Sequence, residues 1–316
     1  MPKPPSPRLA FLDACRAFAV LGMLLANMMN VFLHRVPHLL AHNEGDVLRL
    51  FDFPAAMFQF LIGVSLVLFL DKRSAGGLTR RSTQLTALRR FGLLIALGVV
   101  LDGLGTLATS PQWGVLQTLG LGGVVATSLA YLPDVPAAVA TVGLLGIFGS
   151  GGNGEVHHSP VAAVAFVPLT LAGLLVGRGL RSAPSGRRFI VRATAVAVAG
   201  FVLAGATRVG GIPFNKVVGT CSFVALASGV SAAFLLTTAG LEAAGVRFPP
   251  WLLAVGSNAL MAWVLQYVLV YYPAWLVFPQ WHRLKFLPGM TAAVAALLTL
   301  SGMTVALARR GIRIPI

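Results

Sequence analysis

The chain reads as a succession of long apolar runs separated by short polar connections. Runs near the roughly 20 residues needed to cross a bilayer occupy about 10–33, 52–70, 86–107, 114–132, 135–150, 160–177, 189–206, 217–241, 250–272 and 287–308. The pattern predicts about ten transmembrane helices. No stretch shows the strict alternation of a membrane barrel, and hydrocarbon offers nothing to satisfy an open backbone, so the expected fold is all-α, a polytopic helix bundle. No Ser/Gly-rich linker, low-complexity tract or internal repeat interrupts it, so residues 1–316 are expected to form a single domain. Asp13 and Arg16 lie in the first run, where a cleavable leader's apolar region tolerates charge poorly; this run is expected to be retained as the first span.

Composition agrees with the pattern. The chain is 57% hydrophobic and only 10% charged, against about 25% charged in soluble domains, and its mean hydropathy is +0.83. A net charge of +15 in a soluble protein would point to nucleic acid. Here the basic residues stand between apolar runs, where they orient spans in the bilayer, and no nucleic-acid partner is expected. With the N-terminus inside, seventeen Lys and Arg fall on inner segments and six on outer ones, which with Arg16 accounts for all 24. Both termini are therefore expected in the cytoplasm. All six histidines, His34, His38, His42, His157, His158 and His282, then lie outside. Neutral imidazole has little part in the positive-inside rule, so that segregation points to chemistry. Cys15 and Cys221 lie within or beside apolar runs and read as packing residues, not a disulfide.

The candidate chemistry begins in the first span. Asp13 and Arg16, at i and i+3, share a helical face near the inner surface, either as a structural ion pair or as part of a functional site. Asn27 and Asn30, near its outer end, would line a cavity or bond neighbouring helices. In the following loop Pro37 is suited to start a short helix that would place His38 and His42 one turn apart on one face, with Asp52 downstream. A solvated helix with incidental histidines, a metal site and a general base or acyl acceptor compete for this loop. The metal reading lacks the adjacent Glu of a zincin and any cysteine, and no metal is expected. The inner loop gathers Lys72, Arg73, Arg80, Arg81, Arg89 and Arg90, which serve topology and would also suit the phosphates of a cytoplasmic donor. Gln117 opens the fourth span; IPFNKVVGTCSF places Asn215, Lys216, Thr220 and Ser222 where the eighth enters; VGSNALMAW places Asn258 at the start of the ninth; and GSGGNGEVHHSP holds Glu155, His157 and His158.

Taken together these stretches resemble a known family. LDxxRxxAxxxMxxxN, the His-bearing outer loop running into Asp52, FLIG, RRFGLLIALGVVLD, GVLQ, FNKxxxTxSF and GxNAL occur in this order in the transmembrane acyltransferases related to heparan-α-glucosaminide N-acetyltransferase. The resemblance implies acetyl transfer from cytoplasmic acetyl-CoA to an amino sugar or glycan across a membrane, here the inner membrane of a bacterium, with an outer-loop histidine as central catalytic residue. Counting back from Asp52 places that histidine at His42; counting forward from Asn27 places it at His38. His42 is favoured because its stretch to Asp52 needs no gap. The chain departs from the family pattern at Ala17, Thr118 and Gly219, where Gly, Arg and Trp are usual. In the chemistry, the histidine would serve as base, with Asn27, Asn215 or Lys216 as oxyanion donors. A homodimer is left open, as is a multi-span transporter or flippase, although no repeat and no paired broken helices are visible.

Overall fold

A computed structural model describes residues 9–41, 45–106, 113–150, 152–181, 186–277 and 284–314. The described residues form helices and turns. Helices stand at each of the ten positions anticipated from hydropathy: α1 (Ala10–Phe32), α2 (Phe53–Ala75), α3 (Arg80–Thr106), α4 (Val115–Leu129), α5 (Asp134–Phe148), α6 (Pro160–Ala163) continued by α7 (Val167–Gly177), α8 (Arg187–Val209), α9 (Cys221–Ala243), α10 (Pro250–Ser257) with α11 (Ala259–Gln266), and α12 (Phe286–Arg309). Seven segments are long and apolar enough to span a bilayer. The other three are of two kinds. α3 has 27 residues but carries Arg89, Arg90 and Asp102, while α4 and α5 have 15 each, about 22 Å of helix. The protein is an integral membrane helix bundle.

α1 is its axis, packed against α2, α9, α10, α11 and α12, while α2 packs in turn on α7 and α9. The α2–α7 contact is close because it is made by paired glycines. A Cβ on Gly63 would stand 1.9 Å from the Thr170 carbonyl oxygen, and one on Gly173 would stand 1.9 Å from that of Phe60. Small residues let backbones approach where lipid supplies no hydrophobic drive between helices. Gln59 bridges the same contact, its Nε2 donating to Thr170 Oγ1 at 2.6 Å. Away from this centre, α8 turns Val198, Phe201 and Val202 outward, and α12 does so with Leu287 and Leu298, as lipid-facing surfaces should.

One helix differs from the sequence reading, which placed Asn258 at the start of an unbroken ninth span. Asn258 interrupts it between α10 and α11, with φ −131° and ψ 34°. Gly256 packs so tightly on α1 that a Cβ there would stand 1.8 Å from the Asp13 carbonyl oxygen. The Asn258 Nδ2 donates to the Ile312 carbonyl at 3.2 Å, tying the break to the segment after α12. Beyond α11 the chain continues in π-helical turns, Tyr267–Tyr271 and Pro273–Val277.

A second difference is the histidine loop. Pro37 begins a single turn, closed by Leu40 N–H and Ala41 N–H on its carbonyl at 2.8 and 2.9 Å, in place of a helix carrying His38. His38 is exposed. His42 lies outside the described residues.

Candidate active site

The predicted site residues sort to two ends of the bundle, because α1 carries Asp13 and Arg16 at one end and Asn27 at the other. Arg16 and Asn27 are eleven residues apart, about 16 Å along the helix.

At the first, basic end a cavity of about 200 Å³ opens between α1, α2, α3, α4 and the break at Asn258. Its walls are mostly apolar, among them Val20, Phe58, Leu94 and Leu119, with Ile314 of the C-terminal segment; Arg16, Ser65, Arg90, Ser257 and Asn258 are its polar members. Arg16 donates to Asp13 Oδ1 at 2.8 Å and to Ser65 Oγ at 2.5 Å, so its guanidinium is fixed at the cavity wall by two helices. Arg90 lies over the Phe69 ring, 4.6 Å from its centre, an arrangement in which the ring's negative face attracts and orients the cation. The two arginines paired in the sequence reading part company here: Arg90 lines the cavity, and Arg89 is exposed beside it.

At the other end a cavity of about 240 Å³ is lined by Asn27, Phe51, Ala55, Val115, Glu155, His157, His158, Lys216 and Val217. Met23 and Trp263 belong to the walls of both cavities. Polar groups reach this second chamber because two loops contribute to its wall. Val156 N–H donates to the Val217 carbonyl at 2.8 Å, joining the loop after α5 to the loop before α9. His157 Nδ1 lies 3.3 Å from Thr118 Oγ1, and its ring meets Phe166 edge-on with centroids 5.8 Å apart. His158 Nδ1 lies 2.5 Å from Glu155 Oε2.

Asp52 is fully buried at the start of α2 and accepts Arg49 N–H at 2.8 Å; Lys216 Nζ lies 4.0 Å from it. Burial pushes the Lys216 ammonium below the usual lysine range, and the Asp52 carboxylate opposes part of that displacement. The other residues of the FNKVVGTCSF stretch serve the loop itself. Asn215 Oδ1 accepts Val217 and Val218 N–H at 2.9 and 3.2 Å, and its Nδ2 donates to Asp46 at 2.9 Å. Thr220 and Ser222 hydroxyls both donate to the Pro213 carbonyl, at 2.8 and 2.5 Å. They hold Lys216 in place and do not line the chamber. Asn30 is exposed at the end of α1, whereas Asn27 lines the chamber and donates to Gln266 Oε1 at 3.0 Å. Gln117, fully buried, donates to Asp102 Oδ2 at 2.8 Å, and Tyr267 donates to the other carboxylate oxygen at 2.6 Å.

Two of the departures from the family pattern gain a local reason. Gly219 has φ +65°, and a Cβ there would stand 2.7 Å from Val156 Cγ2; a large residue is excluded twice, by conformation and by space. Thr118 accepts the Trp113 indole N–H at 3.1 Å and meets His157, so a small hydroxyl occupies the place between them.

Sequence reasoning passed over Trp263, Gln266 and Ser65, and it named Glu155, His157 and His158 without assigning them a role. Residues 8–151 match the family model described as heparan-α-glucosaminide N-acetyltransferase, catalytic. That stretch holds α1 to α5, the histidine loop, Asp52 and Gln117, while Lys216, Asn258 and Trp263 lie beyond it. No curated protein gives a significant match. Over residues 8–151 the chain is similar to the catalytic domain of the heparan-α-glucosaminide N-acetyltransferase family.

Proposed function

We propose that the protein transfers an acetyl group from cytoplasmic acetyl-CoA to an amino sugar or glycan on the far side of the membrane, with the basic end facing the cytoplasm. The observation that carries this reading is the pair of cavities that share Met23 and Trp263: one with Arg16 and Arg90 in its wall, the other with two histidines, a carboxylate and a buried lysine. An acyl-CoA has the matching polarity, with anionic phosphates at one end and an apolar arm leading to the thioester. Arg90 and Arg16 suit the phosphates and the start of that arm, and the apolar cavity suits the arm itself. The thioester would then arrive at Met23 and Trp263, where the acceptor reaches it from the histidine side.

The transfer needs a base for the acceptor's proton, and imidazole titrates near neutral pH. His42 is the base we assign, ten residues before Asp52 in the sequence; Asp52 and Lys216 supply paired charge at the histidine end. Glu155 gives the chamber an anionic wall for an ammonium or hydroxyl-rich acceptor. Attack by the acceptor nitrogen on the carbonyl carbon forms the new C–N bond. The C–S bond breaks, and the coenzyme leaves as the thiol after receiving the proton.

The test is reconstitution in sealed vesicles with glucosamine inside and acetyl-CoA, labelled in its acetyl group, outside. In vesicles with the basic end outward, acetylated sugar should accumulate in the lumen. Label that enters as free acetate, or not at all, would overturn the reading in favour of a transporter or hydrolase.

A further inference from the structure

Trp263 belongs to the walls of both cavities and is only 6% exposed. Its indole N–H is shut away from the surface and finds no hydrogen-bond acceptor among the described residues. That is uncommon, because a buried tryptophan N–H normally has a partner and costs free energy without one. Three residues on, along the same face of α11, Gln266 is fully buried. Its Oε1 accepts from Asn27, yet its Nε2 also finds no acceptor among the described residues. Two buried donors thus stand on one face of α11, the first on a residue that belongs to both cavity walls. A donor group so placed suits an acceptor atom that arrives with a ligand.

We propose that the Trp263 Nε1–H is the hydrogen-bond donor to the thioester carbonyl oxygen during acyl transfer, with the Gln266 amide as a second donor beside it. This rests on the acetyl-transfer reading above. When the acceptor nitrogen attacks the carbonyl carbon, the C=O π pair moves onto oxygen, and the N–H faces the negative charge that develops there. Collapse of that oxyanion restores C=O, expels the coenzyme's sulfur, and the proton taken by the base goes to the departing thiolate. No oxidant or metal enters the balance. The N–H acts in a water-poor setting, the condition under which such donors contribute most.

The experiment replaces the indole by its sulfur isostere, β-(3-benzothienyl)alanine, which keeps the ring's shape and removes only the N–H. Wild type and variant are compared for turnover with acetyl-CoA and glucosamine in vesicles, for acetyl-CoA affinity, and for the infrared carbonyl stretch of bound carbonyl-¹³C acetyl-CoA. Turnover should fall about 10²- to 10³-fold, affinity should hold, and the carbonyl stretch should move to higher frequency. Trp263→Phe should repeat the result with additional loss from its smaller ring. Undiminished turnover in the isostere, or an unmoved carbonyl stretch, overturns the assignment. If the wild-type chain itself transfers no acetyl group, the acetyl-transfer reading fails and this inference fails with it; transfer by wild type with no change in the variant sinks the inference alone.

Discussion

The two cavities are alike in size and differ in the side chains that line them. The one at the basic end is built from side chains of long helices, with Arg16 and Arg90 among them. The one at the histidine end draws Glu155, His157, His158 and Lys216 from loops into a largely apolar wall. Helices fix side chains with little freedom, which suits recognition of a long flexible arm; loops bring charges from distant parts of the chain to one point, which suits proton transfer. The contrast makes a sharp division: changes at the histidine end should act on turnover, and changes at the basic end on donor binding.

The largest expected effect tests the histidine end. His42→Ala should lower turnover about 10²- to 10⁴-fold and leave acetyl-CoA affinity as it was, while exposed His38→Ala stays near wild type in a radiolabel transfer assay. Comparable losses at both positions would mean that the loop contributes order and not a base.

Next comes the buried pair at that end. Lys216→Met leaves the Asp52 carboxylate buried without its ammonium neighbour and should cost about 3–5 kcal/mol of stability, read as a lower melting temperature in detergent. Adding Asp52→Asn should recover most of it. The pH dependence has a definite sign. Burial lowers the Lys216 pKa in the folded protein below 10.5, so between the two values the unfolded chain binds more protons and stability rises with pH. That rise should vanish in Lys216→Met.

The smallest effect belongs to the basic end. Arg90→Gln should weaken acetyl-CoA binding about tenfold, roughly 1.4 kcal/mol, with turnover at saturation unchanged and the loss shrinking in high salt. Arg89→Gln, on the exposed side of α3, should bind as wild type in the same calorimetric titration. Equal losses would return both arginines to orientation of the span in the bilayer.

The helices were legible in the sequence because hydropathy is periodic and local, and their positions agree with it to within a few residues. The break at Asn258 was not. Gly256-Ser257-Asn258 is a run of weak helix formers, but such residues also pack unbroken spans together, and what goes with the break is distant: the Gly256 backbone against Asp13 on α1 and the Ile312 carbonyl near the far end of the chain. The site was legible where residues were polar within apolar runs, as at Arg16, Asn27 and Gln117. It was obscure where tertiary closure made it. His157 follows a glycine-rich turn that reads as solvent-exposed loop, and the Val156–Val217 hydrogen bond, with Thr118 and Phe166 against the ring, holds it at the chamber. Trp263 reads as core, since an indole in an apolar span ordinarily is core. Asn215, Thr220 and Ser222 show the reverse: polar residues in a distinctive motif whose hydrogen bonds shape the loop that presents Lys216.

The glycine contact between α2 and α7 also governs how this protein is made. Gln59 and Thr170, which bridge it, are 111 positions apart, so at about 5–20 residues per second a ribosome needs on the order of 6–22 s to deliver the second after the first. Throughout that interval α2 waits in the bilayer with an amide in hydrocarbon and a notch at Gly63 that only α7 fits. During biogenesis α2 is therefore a span in need of a companion, and an insertion factor that shelters polar surfaces within the membrane would act on it.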